Sequence, residues 1–449
     1  MIWNSIVRLG VHDSFEPAID QSAPRISHGL FRPADPWDIG TDVLRTISKS
    51  MELAPSPIAV DLLNLATAVY ATDLRIPRKL SADRWQRSIH LHMPVREPDL
   101  WAPLQEDFSR VITYLTGDFW DVHFRAAERF ELPAKPKRAK VLVPTDSNVV
   151  ALFSGGLDSL VGAIDLFEDG QRPVLVGHHG SGMTKTAQSH VLQRLRASYD
   201  KDLSDLLFFV QPHKQKRSGE QSMRSRSFLF LSLGVLVSTA LAHQPPLVVA
   251  ENGLISLNIP LTPSRMGSLS TRTTHPFFVK SFQNLLTGLG IPTIIETPYR
   301  FQTKGEMLKA CKSRDILKES LPHSMSCSHP EAGRFAGSSP GVHCGYCVPC
   351  LIRRASTRAA RFPDSPYRVD VLAHTPDPTS QTGSDLRAFQ MAIERLKSLS
   401  QQQRRALVLS SGPLPADDIL PYGDVFIRGM NEVGHLLSRS KQSPKASSR

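Results

Sequence analysis

Ser154-Gly155-Gly156-Leu157-Asp158-Ser159 gathers two hydroxyls, two glycines and a carboxylate into one short loop. The apolar run Val149-Val150-Ala151-Leu152-Phe153 precedes it, and Leu160, Val161, Ile164, Leu166 and Phe167 follow at helical spacing. The first reads as a buried strand and the second as a helix, so the loop is a strand-to-helix turn. A turn of that kind aims backbone N–H groups and a helix N-terminus at one point, which favours an anion. Gly155 and Gly156 let the backbone approach a phosphate closely. Ser154 and Ser159 add hydroxyl donors, and Asp158 can hold the Mg²⁺ that accompanies a triphosphate. The loop lacks the lysine of the Gly-x-x-x-x-Gly-Lys-Ser/Thr pattern, which disfavours an ordinary P-loop NTPase. A glycine-rich turn in a plain Rossmann-like domain is the alternative.

Four of the five cysteines form a second cluster, Cys327 … Cys344-Gly345-Tyr346-Cys347-Val348-Pro349-Cys350. Thiolates two residues apart on a turn can converge on a tetrahedral Zn²⁺, with Cys327 closing the shell. Such a site leaves no position open and is structural, tying the C-terminal segment to the core. A redox dithiol and an iron–sulfur cluster are the competing readings, and a reducing cytosol disfavours disulfides. His329 and His343 are alternative ligands, and Cys311, in a helical pattern, reads as a buried apolar side chain.

The elements that must position these groups form an alternating pattern. Strands are expected near 149–153, 173–178, 206–211, 247–250 and 293–296, with helices near 184–199, 225–243, 276–288 and 303–311. Short apolar strands alternating with helices imply an α/β fold, a doubly wound parallel sheet. Ligands of such sheets lie at the carboxyl ends of the strands. Ser154–Ser159, His178-His179-Gly180 and Glu251-Asn252-Gly253 all fall at such ends. In this cleft His178 and Lys185 are candidates for ATP, against a buried or surface role. Arg224, Glu251, Asn252 and His275 are candidates for a substrate, against salt-bridging, turn and helix-entry roles; Arg226 shares the reading of Arg224.

Residues 1–132 read as an N-terminal α+β accessory domain, with helices at 56–72 and 104–115 and strands at 88–95 and 119–124. A linker is placed at 133–146, the α/β core with the zinc segment 327–350 at 147–360, and a helical appendage at 361–437. Within that appendage 375–384 reads as a linker, followed by helices at 385–396 and 424–437. The basic residues 438–449 read as a disordered tail.

The 449 residues suffice for two or three domains with a substantial core. The 53 Lys and Arg against 42 Asp and Glu give a formal charge of +11, which suits nucleic acid, nucleotides or an acidic protein but identifies none of them. Neither a signal peptide nor a bilayer-spanning apolar stretch is evident, so a cytoplasmic protein without a membrane partner is expected.

Ser154-Gly155-Gly156-Leu157-Asp158-Ser159 resembles the PP-loop of the ATP pyrophosphatases, which split ATP between its α and β phosphates. A PP-loop followed by Ser326-Cys327 … Cys344-Gly345-Tyr346-Cys347-Val348-Pro349-Cys350-Leu351-Ile352-Arg353 resembles the QueC family. The helix Arg224-Ser225-Arg226-Ser227-Phe228-Leu229-Phe230-Leu231-Ser232-Leu233 is similar to a QueC helix, and the resemblance covers about 147–360. QueC enzymes make 7-cyano-7-deazaguanine from 7-carboxy-7-deazaguanine, ATP and ammonia, and carry a structural zinc.

Two features depart from QueC: the long flanking segments, and residues 270–278, where a QueC motif near the purine is replaced. Glu251-Asn252-Gly253, residues 260–265 and Arg272-Thr273-Thr274-His275-Pro276 look like the QueC-like proteins of Qat anti-phage systems. The resemblance implies ATP, Mg²⁺ and structural Zn²⁺, with Ser154, Asp158 and Ser159 catalytic and Ser154–Ser159, His178 and Lys185 on ATP. It also places Arg224, Glu251, Asn252, Arg272 and His275 on a deazaguanine-type substrate. The implied activity adenylates a carboxylate and passes it to an amine, which can belong to a partner protein of a defence system. A nitrile synthase of deazapurine biosynthesis, a tRNA-modifying PP-loop enzyme and a non-catalytic nucleotide-binding scaffold are the alternatives.

Overall fold

The computed structural model describes residues 1–10, 12–18, 22–30, 39–127, 142–180, 183–199, 203–213, 220, 224–262, 272–331, 341–373, 376 and 380–440. Near the N-terminus, β1 (Ile2–Leu9) and β2 (Arg25–Leu30) pair in parallel. The short β3 (Ile39–Thr41) leaves this sheet, and helix α1 (Pro57–Arg75) follows, with proline in its first turn where a missing N–H costs nothing. β4 (Ser88–Val95), helix α2 (Gln105–Thr116) and β5 (Phe119–Ala126) complete a four-stranded parallel sheet of order β2-β1-β4-β5. Ile89, Leu91, Met93 and Val95 of β4 are buried on one face while His90 and His92 point to the other, as strand alternation requires.

The second sheet holds β6 (Val149–Leu152), β7 (Pro173–His179), β8 (Ser204–Pro212), β9 (Leu247–Val248) and β10 (Ile295–Glu296). Its order is β10-β9-β6-β7-β8-β3, parallel throughout except at β3, which runs antiparallel to β8. Helices α3 (Leu157–Glu168) and α4 (Met183–Tyr199) pack on one face, with Val149, Ala151, Phe153 and Leu175. Helix α5 (Arg226–Thr239) packs on the other, with Val150, Leu152, Val174 and Val176. Burial of both strand faces explains the unbroken apolar runs. The chain leaves β6 toward β7 and β8, then returns to β9 on the opposite side of β6. That reversal opens a crevice at the carboxyl ends of β6 and β9.

Helix α6 (Pro276–Gly288) joins the α5 side. Helices α7 (Lys304–Ala310) and α8 (Val348–Ala359) lead to α9 (Gln381–Lys397) and α10 (Ile419–Ser440), which build a third apolar cluster around Leu351, Phe389 and Phe426. The parallel sheet and its helices agree with expectation. Three details differ. Helix α9 starts inside the segment expected to be a linker, and α10 begins before 424 and continues to Ser440, so the tail does not begin at 438. The segment 1–132 also shares one continuous core with the second sheet, running from Val7 and Leu91 through α1 to Phe228 and Phe282. Most of the expected linker, 133–141, and residues 441–449 lie outside the described residues.

Candidate functional site

The Ser154 loop stands at the β6 end of the crevice. Gly155 takes a φ of +77°, and a Cβ there would lie 3.0 Å from the Gln188 backbone, so glycine is required on both counts. The Gly156 N–H donates to Ser154 Oγ at 3.2 Å, and the Leu157 N–H donates to Ser326 Oγ at 3.2 Å. Serine hydroxyls thus hold the first amides of α3. Ser159 Oγ lies 3.2 Å from Ser154 Oγ and donates to Gly156 O at 3.1 Å.

Asp158 is buried and held from two sides. Its Oδ2 accepts from Asn252 Nδ2 at 2.7 Å and from the Asn252 N–H at 3.3 Å, while Oδ1 lies 2.9 Å from Lys304 Nζ. Asn252 is itself fixed because its Oδ1 accepts from the Ile255 N–H at 3.1 Å, capping the short helix Gly253–Leu257. Lys304 was not anticipated from the sequence. Thr303 and Glu306 form a capping box that places it at the first position of α7, facing the loop. Thr303-x-x-Glu306 was a legible helix start, so the signal was present.

Glu251 and Arg226 also line the cleft. Glu251 accepts a hydrogen bond from the Thr274 hydroxyl. Burial pushes its carboxyl up to about 7, and the neighbouring Asp158 charge adds to the rise. Arg226 Nε donates to His178 Nδ1 at 3.1 Å and Nη2 donates to His178 O at 3.0 Å. Among the described residues no carboxylate pairs with Arg226, and desolvation lowers its pKa from the usual arginine range. Ser154, Asp158, Ser159, Arg226, Glu251 and Lys304 line one cleft of about 490 Å³. A partly buried guanidinium without a carboxylate is a natural partner for an anionic group.

The remaining candidates are distributed as follows. Gly156 and Leu157 reach the cleft, whereas Gly155 shapes the turn behind it. His178 does not line the cleft: it is buried, edge-on to Tyr70, with Nε2 donating to Val210 O at 3.1 Å. That bond leaves Nδ1 unprotonated to accept from Arg226, and burial pulls the ring down to about 3. Lys185 is exposed on α4 and does not line the cleft. Arg224 points away: its guanidinium stacks on Trp85 at 4.8 Å and donates to Thr116 O at 2.9 Å. Arg272 covers the Tyr114 ring at 4.4 Å and donates to Tyr114 O at 2.8 Å. His275 caps α6 and bonds Tyr114 Oη at 2.8 Å and Ser411 Oγ at 3.0 Å. Arg224, Arg272 and His275 thus make their packing and capping contacts outside the cleft lining. Residues 263–271, part of the resembling segment, lie outside the described residues.

Cys327, Cys344, Cys347 and Cys350 converge, with all four sulfurs within 4.8 Å of one another. Two Sγ–Sγ separations are 3.8 and 4.0 Å. Zn–S bonds of about 2.3 Å in a tetrahedron place sulfurs about 3.8 Å apart, so the cluster could hold zinc. N–H groups of His329 and Cys344 point at Cys327 Sγ, at 3.3 and 3.4 Å, as suits a thiolate. Gly345 allows the tight turn at a φ of +87°, since a Cβ would meet Val369 O at 2.1 Å. His343 is not a fifth candidate, because its Nε2 accepts from the Ser326 N–H at 3.3 Å.

The cysteine segment also supports the loop. Met325 N–H donates to Gly155 O at 2.9 Å, and Ser326 receives Leu157 N–H. The buried Arg353 donates to Ser324 Oγ at 2.9 Å, Leu321 O at 2.9 Å and Ser326 Oγ at 3.4 Å. Among the described residues no helix is long and apolar enough to cross a membrane. No protein-family model matches the chain, and no curated protein sequence is detectably similar to it, so the chemistry of the site is read from its own residues.

Proposed function

We propose that this chain is a QueC-like PP-loop enzyme that adenylates a carboxylate, of 7-carboxy-7-deazaguanine type, and passes it to an amine. The observation that carries this reading is the single cleft shared by the Ser154–Ser159 loop, Lys304, Glu251 and Arg226, which no carboxylate among the described residues pairs. In this reading the loop amides and hydroxyls exchange their internal serine partners for phosphate oxygens. Lys304 supplies a positive charge beside them. Arg226 holds an anionic group of the substrate, and Glu251 meets the N–H edge of a guanine-like ring. The hard carboxylate oxygens of Asp158 fit Mg²⁺, which would supply charge neutralisation on the leaving pyrophosphate.

The substrate carboxylate oxygen attacks the α-phosphorus, the bond to the bridging oxygen breaks, and pyrophosphate leaves. The amine nitrogen then attacks the acyl carbon, AMP departs, and a proton is lost from nitrogen as the amide forms. Stabilisation of charge on the leaving groups contributes most of the catalysis. A tRNA-modifying thiolase is disfavoured by Cys311, which is buried beneath α3 with its thiol pushed up to about 12 by burial. In a Qat-like defence setting, the amine belongs to a partner protein. With a free ammonia acceptor the same step leads toward the nitrile.

The test is release of AMP and pyrophosphate from ATP on adding 7-carboxy-7-deazaguanine, with Asp158→Ala as control. The wild type is expected to release both, and the variant to lose at least about 100-fold in rate. Release of ADP and phosphate, or no dependence on the deazaguanine, rules the reading out. Intact masses of co-expressed proteins then identify the amine.

A further inference from the structure

A second cluster of ligating side chains lies outside this cleft, on the N-terminal sheet. His90 and His92 of β4 face the same way as Asp121 and His123 of β5, since His90 stands opposite Asp121 and His92 opposite His123. All-parallel sheets almost always have both faces covered. Here the His90, Asp121 and His123 side chains are 36, 47 and 39% exposed, so among the described residues this part of the face is only partly covered. His123 Nε2 lies 3.0 Å from Asp121 Oδ2, and His90 Nε2 lies 3.8 Å from it. One ligand atom from each of the three falls within 4.8 Å of the others. Metal–ligand bonds of about 2.0–2.2 Å place tetrahedral neighbours about 3.4 Å apart, between the two observed separations.

The rings are held by their neighbours. His92 stacks on His123 with centroids 5.3 Å apart, and Asn4 Oδ1 lies 3.2 Å from His92 Nε2. His90 meets His123 edge-on at 5.4 Å. Arg125, the nearest cation on the same strand face, is committed to Asp13, the Val7 carbonyl and the Phe15 ring. Among the described residues no lysine or arginine is paired with Asp121, so its charge is available to a cation.

We propose that His90, Asp121 and His123 bind one divalent cation of the Zn²⁺ class, with three protein ligands and the remaining positions open to water. Two imidazoles with one carboxylate suit zinc, nickel, copper or ferrous iron, whereas magnesium and calcium prefer all-oxygen sets. The open coordination distinguishes this site from the closed four-cysteine cluster. It is independent of the adenylation reading.

The full-length protein equilibrated with excess Zn²⁺ and desalted is compared by native mass spectrometry with His90→Ala/His123→Ala and with Asp121→Asn. The wild type is expected to carry one zinc more than either variant, and Zn²⁺ titration to show at least about tenfold weaker binding in the variants. Co²⁺ at this site gives visible bands without thiolate-to-cobalt charge transfer, which separates it from the cysteine cluster. Should the double variant fail to fold, Asp121→Asn, which preserves size, carries the comparison. Equal zinc content in wild type and Asp121→Asn, or zinc confined to the thiolate-type site, overturns the proposal.

Discussion

Replacing Glu251 with glutamine removes one titrating group from the cleft while keeping an acceptor for the Thr274 hydroxyl. The carboxyl titrates at about 7 in the folded protein against an ordinary 4.5, because burial first and the Asp158 charge second disfavour its anion. Between those two values the folded state retains a proton that the unfolded chain has released, so stability falls as pH rises from about 4.5 to 7. At about 1.36 kcal/mol per unit, the loss is at most about 3–4 kcal/mol, less where water in the cleft screens the charge. Above pH 7 the contribution is flat.

The assay is urea unfolding of wild type and Glu251→Gln from pH 4.5 to 8.5. The difference between the two proteins cancels every other titration. It is expected to grow in favour of the variant from about pH 4.5 to 7, with its midpoint between the two pKa values, and to stay level from there to pH 8.5. Parallel pH profiles refute the assignment of Glu251 as a desolvated carboxyl. A substrate with an N–H pair would shift the balance toward the anion, so ligand binding should release the proton.

Two further substitutions separate the arginines at the start of α5. Arg226→Ala should raise KM for the carboxylate substrate about 10–100-fold, the value of a charged hydrogen-bonded pair, while Arg224→Ala should lower Tm and leave KM unchanged. Steady-state kinetics with thermal melts check both, and equal KM effects would contradict the geometry. Stripping metal from the four-cysteine cluster should weaken ATP binding as well as stability, because Met325 and Ser326 hold Gly155 and Leu157. Nucleotide affinity measured before and after chelation, then after zinc is restored, decides this point. Unchanged affinity means the loop stands without the cluster.

The elements nearest the chemistry were legible because their patterns are local. The alternation of Ile89, Leu91, Met93 and Val95 predicts β4 with its observed bounds, and Val149 to Phe153 predicts β6 to within a residue. Ile39-Gly40-Thr41 offers no such pattern, being three residues long with a central glycine, so β3 is set by pairing with β8 alone. Side-chain direction was the harder question. Arg224 and Arg226 lie two positions apart, one in the turn before α5 and one at its first position, and only Arg226 lines the cleft. Which one does so depends on Trp85 and His178, distant residues that no local pattern reveals. His178 and His275 sit at the expected strand end and helix entry, yet partners remote in sequence, Val210 and Ser411, turn their rings inward. Lys304 was readable only as a helix start, since its approach to Asp158 is tertiary.

β3 has a consequence for how the chain can be divided. Its three residues pair with Val210, Gln211 and Pro212, and Asp42 accepts from the Phe209 N–H at 2.8 Å. A fragment cut to residues 147–360 would leave this length of β8 as a bare edge, with its amides and carbonyls facing water and α5 stripped of α1. Unprotected edges recruit other strands. The N-terminal segment thus serves the second sheet as a selvedge: it finishes the margin of a sheet that would otherwise fray into its neighbours.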